Sequence, residues 1–416
     1  MYGLVGKNLS HSFSKEIHNA FGNEKYELIN TNNLKNIFEN KKLLGFNVTI
    51  PYKNDCIEYL DEIDDLAKKT NSVNTVVMRE KRYIGYNTDY YGFMEMIAFN
   101  HINIEEKNVI VLGNGSVSNT VVLALETLKA NRIVRLCRTK KNVLDDYYKN
   151  YQNYDKFDIM INTTPVGMYP HNEDDLLVDL SIFKHIELVI DLIYNPLRTR
   201  LLIEAQKHDI KTIDGLFMLV MQAKRAHELF FNIELPLNVA NRVYKKMLKN
   251  TYNLVFIGLP LSGKSKYAKL FESKLNKKLY DTDQEIEKVI DMSIYDYFQL
   301  NSEAQFRMVE TEIIKILFKQ HNCIISTGGG AIKRDINIEL LKQNGIIVFL
   351  NKNPKKIAEK IIKGRPLIKN SNDIIRIAEE RMPLYKKASD IIIDIKKDTV
   401  YHINEIKEKI NEYLNY

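Results

Sequence analysis

Gly258-Leu-Pro-Leu-Ser-Gly263-Lys264-Ser265 follows the apolar run Asn253-Leu-Val-Phe-Ile257. A short, unbroken apolar run reads as a strand buried on both faces, as in a parallel sheet. The two glycines and the Lys-Ser pair then have the spacing of a phosphate-binding loop that opens a helix. Its backbone N–H groups cradle phosphates, the lysine reaches the β and γ positions, and the serine hydroxyl binds Mg²⁺. Gly258, Ser262, Gly263, Lys264 and Ser265 are therefore candidate nucleoside triphosphate ligands, with Ser265 also a metal ligand. Downstream strands are expected at Cys323 to Ser326, Ile346 to Leu350 and Ile391 to Ile395. Residues 251–416 thus read as a P-loop α/β/α domain built on a parallel sheet.

A second phosphate site lies upstream. Gly113-Asn114-Gly115 follows Lys107-Asn-Val-Ile-Val-Leu112, and Val117, Val121, Val122, Leu125 and Leu128 continue at helical spacing. Strands recur at Ile133 to Cys137, Asp158 to Asn162 and Leu188 to Leu192, so residues 106–215 read as a Rossmann-like doubly wound sheet. Ser118 stands where the third glycine of a dinucleotide turn would fall. The second strand ends Cys137-Arg138-Thr139-Lys140-Lys141, with no acidic residue for ribose hydroxyls. A guanidinium and a hydroxyl there suit a 2′-phosphate, which favours NADP(H) over NAD.

The 416 residues allow two or three domains, and 45% hydrophobic content without a Pro/Ser-rich tract describes a folded chain throughout. Net charge is +7 with both signs interspersed, no basic stripe appears, and no segment remains for a helix-turn-helix, so no nucleic-acid partner is expected. Cys56, Cys137 and Cys323 lie in no paired spacing, which argues against a zinc site or a disulfide framework. The chain opens directly into Tyr2-Gly-Leu-Val-Gly6, and no apolar run nears the ~20 residues of a membrane span. A cytoplasmic location without membrane attachment is expected, and the oligomeric state is left open.

Five ordered segments in the first 250 residues resemble shikimate dehydrogenase. They are Leu9-Ser-His-Ser12-Phe-Ser14-Lys-Glu-Ile-His18-Asn19, Gly45-Phe-Asn47-Val-Thr49-Ile-Pro51-Tyr-Lys53, Ser72-Val-Asn74-Thr75, Gly85-Tyr-Asn87-Thr88-Asp89 with Gly92, and Asn162-Thr-Thr-Pro-Val-Gly-Met168. Tyr194-Asn-Pro and Gly215-Leu-Phe-Met-Leu-Val-Met-Gln222 extend the match. The resemblance implies a substrate-binding domain of residues 1–105 and 216–250. Ser12, Ser14, Thr49, Asn74, Asp89, Tyr194 and Gln222 would face the substrate, Lys53 would deliver the proton, and Asp89 would orient it. The polar lining suits a polyhydroxylated ring acid, because an unpaired polar group in a closed pocket costs about 1–3 kcal/mol. Gly113, Asn114, Gly115, Arg138, Thr139, Lys140, Thr163, Met168 and Gly215 would hold NADP(H). Tyr90 departs from the glycine common in the family.

The C-terminal part is similar to shikimate kinase through Leu279-Tyr-Asp281-Thr-Asp283-Gln-Glu-Ile-Glu287, Glu303-Ala-Gln-Phe306-Arg307-Met-Val-Glu310, Thr327-Gly328-Gly329-Gly330, Gly364-Arg365-Pro-Leu367 and Arg381-Met-Pro-Leu-Tyr385. The resemblance implies that Asp281 helps hold Mg²⁺ and that Asp283 binds and activates the attacking hydroxyl. Arg307 and Arg381 would clamp the substrate carboxylate, Gly328, Gly329 and Gly330 would let backbone approach the ring, and Arg365 would neutralise the transferring phosphoryl group. Ser302 replaces a common glycine.

The two halves then imply consecutive reactions, with NADPH-dependent reduction of 3-dehydroshikimate to shikimate followed by ATP-dependent phosphorylation to shikimate 3-phosphate. The alternative is a quinate/shikimate dehydrogenase whose kinase-like half only senses ligand.

Overall fold

Apolar runs in this chain pair mostly in parallel, because residues buried on both faces need helices above and below them. The computed structural model describes residues 1–359 and 371–414. It divides into two compact units, Met1–Leu248 and Lys249–Tyr416. Among the described residues there are three sheets.

The first sheet has the order Tyr26–Asn30, Tyr2–Gly6, Gly45–Val48, Thr75–Arg79, Arg82–Tyr86, Glu62–Ile63. It is mixed: Thr75–Arg79 runs antiparallel to both of its neighbours. The hairpin turn places Glu80 and Lys81 at φ 50° and 66°, the left-handed pair that matches strand twist. Side chains alternate between two apolar layers. Val5 and Val76 join Phe38, Phe46 and Tyr83 on one face. Leu4 and Val77 join Tyr26, Ala226 and Phe230 on the other, the last two from the helix Leu216–Phe231. That helix also packs along Thr88–Phe99, where a side chain on Gly92 would lie 2.6 Å from the Met218 carbonyl oxygen.

His18, on the helix Ser14–Ala20, is fully buried and stacked on Tyr26 with ring centroids 3.9 Å apart. Burial, reinforced by His227 and opposed by Asn47, lowers its pKa to about 3. The unfolded value lies near 6.5, so the stability it lends is complete above that pH and is lost as pH falls towards 3. Between pH 7.5 and 5 the loss is about 2 kcal/mol. Amide-exchange protection in Tyr2–Gly6 should fall accordingly, and His18→Phe, which keeps the stack, should remove this pH dependence. An unchanged slope in that variant would assign the acid sensitivity elsewhere.

The second sheet is wholly parallel, with the order Lys211–Ile213, Leu188–Asp191, Ile159–Asn162, Asn108–Leu112, Arg132–Cys137, Asp145–Tyr147. Strand order reverses between Asn108–Leu112 and Ile159–Asn162, and a crevice for a ligand forms at such a switch point beyond the carboxyl ends.

The third sheet has the order Lys278–Asp281, Cys323–Ser326, Asn253–Ile257, Gly345–Asn351, Ile391–Asp394, again parallel. Its carboxyl edge gathers Gly258, Asp281 and Thr327 at the ends of neighbouring strands. No helix among the described residues is long and apolar enough to cross a membrane.

Two candidate active sites

In the first unit, Lys53 lies in the loop after Gly45–Val48, where its carbonyl accepts the Val73 N–H at 2.8 Å. Asp89 occupies the first turn of Thr88–Phe99, a helix capped by Asn87, whose side chain accepts from Tyr90 N. The Lys53 ammonium donates to Asp89 at 2.5 Å, with side-chain exposures of 12% and 9%. A largely desolvated ammonium with one fixed carboxylate partner is aimed, not free to sample rotamers.

Next to Asp89, the Asn74 Oδ1 accepts from Thr88 N at 2.7 Å, and Asn74 Nδ2 donates to Gln222 Oε1 at 3.4 Å. Ser12 Oγ donates to Ser14 Oγ at 3.1 Å. Tyr194 bonds to Ser12 and packs against Phe13, and burial raises its phenol pKa against the pull of that bond. Thr49 faces Gly6, where a Cβ would lie 2.5 Å from its methyl. Thr88 was absent from the expected set, yet its hydroxyl lies within 3.4 Å of Gln222 and 3.0 Å of Thr75. Its signal was its place inside the Gly85–Asp89 segment.

At the switch point, Gly113 has φ 101°, and a Cβ there would meet Thr164 at 2.8 Å and Thr163 Oγ1 at 3.0 Å. Thr163 Oγ1 donates to the Leu112 carbonyl at 2.7 Å, which ties the two central strands together. A Cβ on Gly115 meets nothing within 4 Å, so the outer face of the turn can take a dinucleotide phosphate against backbone N–H groups. Ser118, where the third glycine was expected, is fully buried and donates to the Gly113 carbonyl at 2.8 Å, so it closes the turn with a hydrogen bond. Arg138 and Thr139 are exposed beyond the next strand. Lys140 is also exposed and ion-pairs with Asp146 at 2.7 Å. Met168 follows the tight turn at Gly167 and is partly exposed. Gly215 has a packing role as well: a Cβ there would sit 2.0 Å from the Leu192 oxygen.

In the second unit, Gly258, Leu261 and Gly263 have φ values of 149°, 60° and 106°. Left-handed residues interspersed in a tight turn are the backbone from which an anion nest is built. Lys264 is buried and donates to the carbonyls of Gly258 at 2.8 Å and Leu259 at 3.0 Å. The Ser262 hydroxyl is buried there without a hydrogen-bond partner among the described residues. The loop therefore fits a triphosphate. Ser265 Oγ donates to Asp281 Oδ2 at 3.0 Å, which pairs two hard oxygen donors suited to Mg²⁺. Asp281 also caps the helix Thr282–Ile290 by accepting from Asp283 N at 3.1 Å.

Opposite stands the glycine run. A Cβ on Gly328 would come within 2.6 Å of Asp283 Oδ1 and 3.1 Å of Glu310 Oε1. One on Gly330 would come within 2.0 Å of the Arg307 guanidinium. Arg307 is held by Glu310 at 2.9 Å and Glu303 at 3.1 Å, while Arg381 donates to the Gly329 carbonyl at 2.9 Å. Burial raises the Glu310 carboxyl above its usual range, against the pull of Arg307. Glu310 and Tyr385, whose hydroxyl donates to Gly329 O at 2.5 Å, were not singled out from sequence, although both end quoted segments. Ser302 is the N-cap of Glu303–Leu317 in a capping box with Gln305, so the lost glycine is replaced by a cap. Arg365 lies outside the described residues.

A family model described as the shikimate dehydrogenase substrate binding domain matches residues 4–76, and one described as shikimate kinase matches residues 260–414. Shikimate dehydrogenase (NADP(+)) of Clostridium perfringens strain 13 is 37% identical over 266 residues, covering 59% of this chain and 98% of that protein. The chain belongs to the shikimate dehydrogenase family. Its C-terminal part is a shikimate kinase domain. Shikimate dehydrogenase 1 from Peptoclostridium difficile matches with a TM-score of 0.56 and 32% identity over 59% of this chain and 97% of that one. A chorismate mutase/shikimate 5-dehydrogenase fusion protein from Clostridium acetobutylicum matches with a TM-score of 0.55 and 32% identity over 59% of this chain and 96% of that one. This chain is a bifunctional shikimate-pathway enzyme, an NADP-dependent oxidoreductase joined to an ATP- and Mg²⁺-dependent kinase.

Proposed function

We propose that the dehydrogenase unit reduces 3-dehydroshikimate to shikimate and that the kinase unit converts shikimate to shikimate 3-phosphate. The observation that carries the reading is the buried Lys53–Asp89 pair on a chain that also holds the P-loop lysine Lys264. When bound, NADPH supplies a hydride, and ATP with Mg²⁺ supplies the phosphoryl group.

As the substrate carbonyl carbon gains the hydride, its oxygen gains charge, and the Lys53 ammonium donates a proton to it. Asp89 keeps the ammonium aimed and offsets its charge. Ser12, Ser14, Thr49, Asn74, Tyr194 and Gln222 bind the ring hydroxyls and carboxylate, and the Gly113–Gly115 turn with Arg138, Thr139, Thr163, Met168 and Gly215 binds the dinucleotide. In the kinase unit, Arg307 and Arg381 hold the shikimate carboxylate, and their guanidinium forks suit it. Asp283 accepts the hydrogen bond of the attacking 3-hydroxyl and takes its proton as the new O–P bond forms. Lys264 and the P-loop N–H groups stabilise the charge shed onto the leaving diphosphate.

Full-length protein with 3-dehydroshikimate, NADPH, ATP and Mg²⁺ should consume NADPH and form shikimate 3-phosphate. Without ATP, shikimate should accumulate instead. NADPH consumption with no phosphorylation of added shikimate would favour a ligand-sensing second unit. Preferential oxidation of quinate with NAD would overturn the assigned substrate of the first.

A further inference from the structure

The strand Asp145–Tyr147 is the edge of the dinucleotide sheet, and its sequence is too polar to be a strand by itself. It pairs in parallel with Arg132–Cys137, in a register that sets Asp145 opposite Arg135. Both residues are buried, at 6% and 2% exposure. The Asp145 carboxylate collects donors from three parts of the cofactor site. Arg135 Nε donates at 2.6 Å, Asn114 Nδ2 at 2.9 Å, Lys141 N at 2.7 Å and Asn142 N at 3.3 Å. Asn114 Nδ2 also donates to the Thr139 carbonyl at 2.8 Å, and Arg135 Nη1 reaches Asn119 on the helix after the glycine turn at 2.6 Å. Burial disfavours the charged carboxylate, but the bonds from Asn114, Lys141 and Arg135 outweigh it and hold its pKa below the usual range. On the opposite side of the strand, Asp146 holds the Lys140 ammonium.

We propose that Asp145 is the positioning residue that fixes the Arg138–Thr139–Lys140 loop against the Gly113–Gly115 turn, and that it thereby sets the preference of this enzyme for a 2′-phosphorylated dinucleotide. The inference rests on the reading that Arg138 and Thr139 bind the 2′-phosphate. The pyrophosphate and the 2′-phosphate are separated by a ribose of fixed length, so the turn and the loop must keep a fixed spacing to engage both. Loosening the loop forfeits the 2′-phosphate contact, whereas an unphosphorylated dinucleotide makes no use of it.

The test is kcat and KM of the full-length enzyme for NADPH and NADH separately, at saturating 3-dehydroshikimate. Arg138→Ala should raise KM for NADPH by about 10–100-fold, as loss of a charge-assisted contact does, and leave KM for NADH unchanged. Asp145→Asn should raise KM for NADPH about tenfold, with kcat and KM for NADH held within about twofold. If Arg138→Ala leaves the NADPH-to-NADH preference intact, the assignment of the loop fails and the inference fails with it. If Arg138→Ala abolishes the preference and Asp145→Asn does not, the positioning role alone is wrong. A parallel rise of both KM values in Asp145→Asn, or a fall in kcat alone, would mark Asp145 as a general structural residue and overturn the proposal. Should Asp145→Asn fail to fold, Arg135→Lys decides. It keeps a cation beside the carboxylate but removes the bond from Arg135 Nε, and it should raise KM for NADPH several-fold more than KM for NADH; equal changes would overturn the proposal.

Discussion

Lys53→Ala is expected to lower kcat for 3-dehydroshikimate reduction by about 10²–10⁴, the usual worth of a positioned general acid. In the proposed reaction the carbonyl oxygen gains a proton as the hydride arrives, and the Lys53 ammonium is held by Asp89 at 2.5 Å with both side chains mostly shielded from water. Without it the proton must come from unaligned water. KM for NADPH should change by no more than about twofold, because the group acts on the transition state and not on cofactor binding. Asp89 loses its partner in the variant, and Asp89→Asn should share part of the defect by leaving the ammonium unaimed. Phosphorylation of added shikimate should proceed at the wild-type rate, which separates a local chemical loss from a folding defect. A fall in kcat of less than about tenfold would remove Lys53 from the role of proton donor.

Lys264→Met should lower kcat for shikimate phosphorylation by about 10²–10³, the cost of removing one preorganised charge-stabilising group. Two losses combine. The ammonium is no longer available to the β and γ phosphates, and its hydrogen bonds to the carbonyls of Gly258 and Leu259, which span the loop, are gone. Methionine keeps the length and apolar stem of the side chain, so the packing around this buried residue is largely preserved. Reduction of 3-dehydroshikimate should be unaffected. Wild-type phosphorylation in the variant would show that the loop binds its anion through backbone N–H groups alone.

Much of this site chemistry is visible in the residues because it depends on local spacing. A phosphate-binding turn needs left-handed φ at particular points within one short loop, so Gly258 and Gly263 announce it within eight positions. Buried parallel strands likewise announce themselves as apolar runs, as Val109 to Leu112 and Ile346 to Leu350 do. Roles that arise between distant segments are not visible in this way. Thr88 gains its place through Asn74 and Gln222, the latter 134 residues away. Lys140 stands in an Arg-Thr-Lys run, and only folding shows that Asp146 pairs with it. Glu310 pairs with Arg307 one turn away on its own helix, but only folding brings the Gly328 backbone against it.

The amino-acid sequence alone therefore determined the parallel α/β architecture, the two phosphate-binding turns and the family of each half, because each depends on periodicity or on a short motif. Tertiary structure alone decided which polar residues meet across distant segments. The strand Asp145–Tyr147 shows why: Asp-Asp-Tyr has no strand signal, and it becomes the edge of a sheet only when Arg135 and Asn114 converge on a carboxylate whose burial is tolerable in their company.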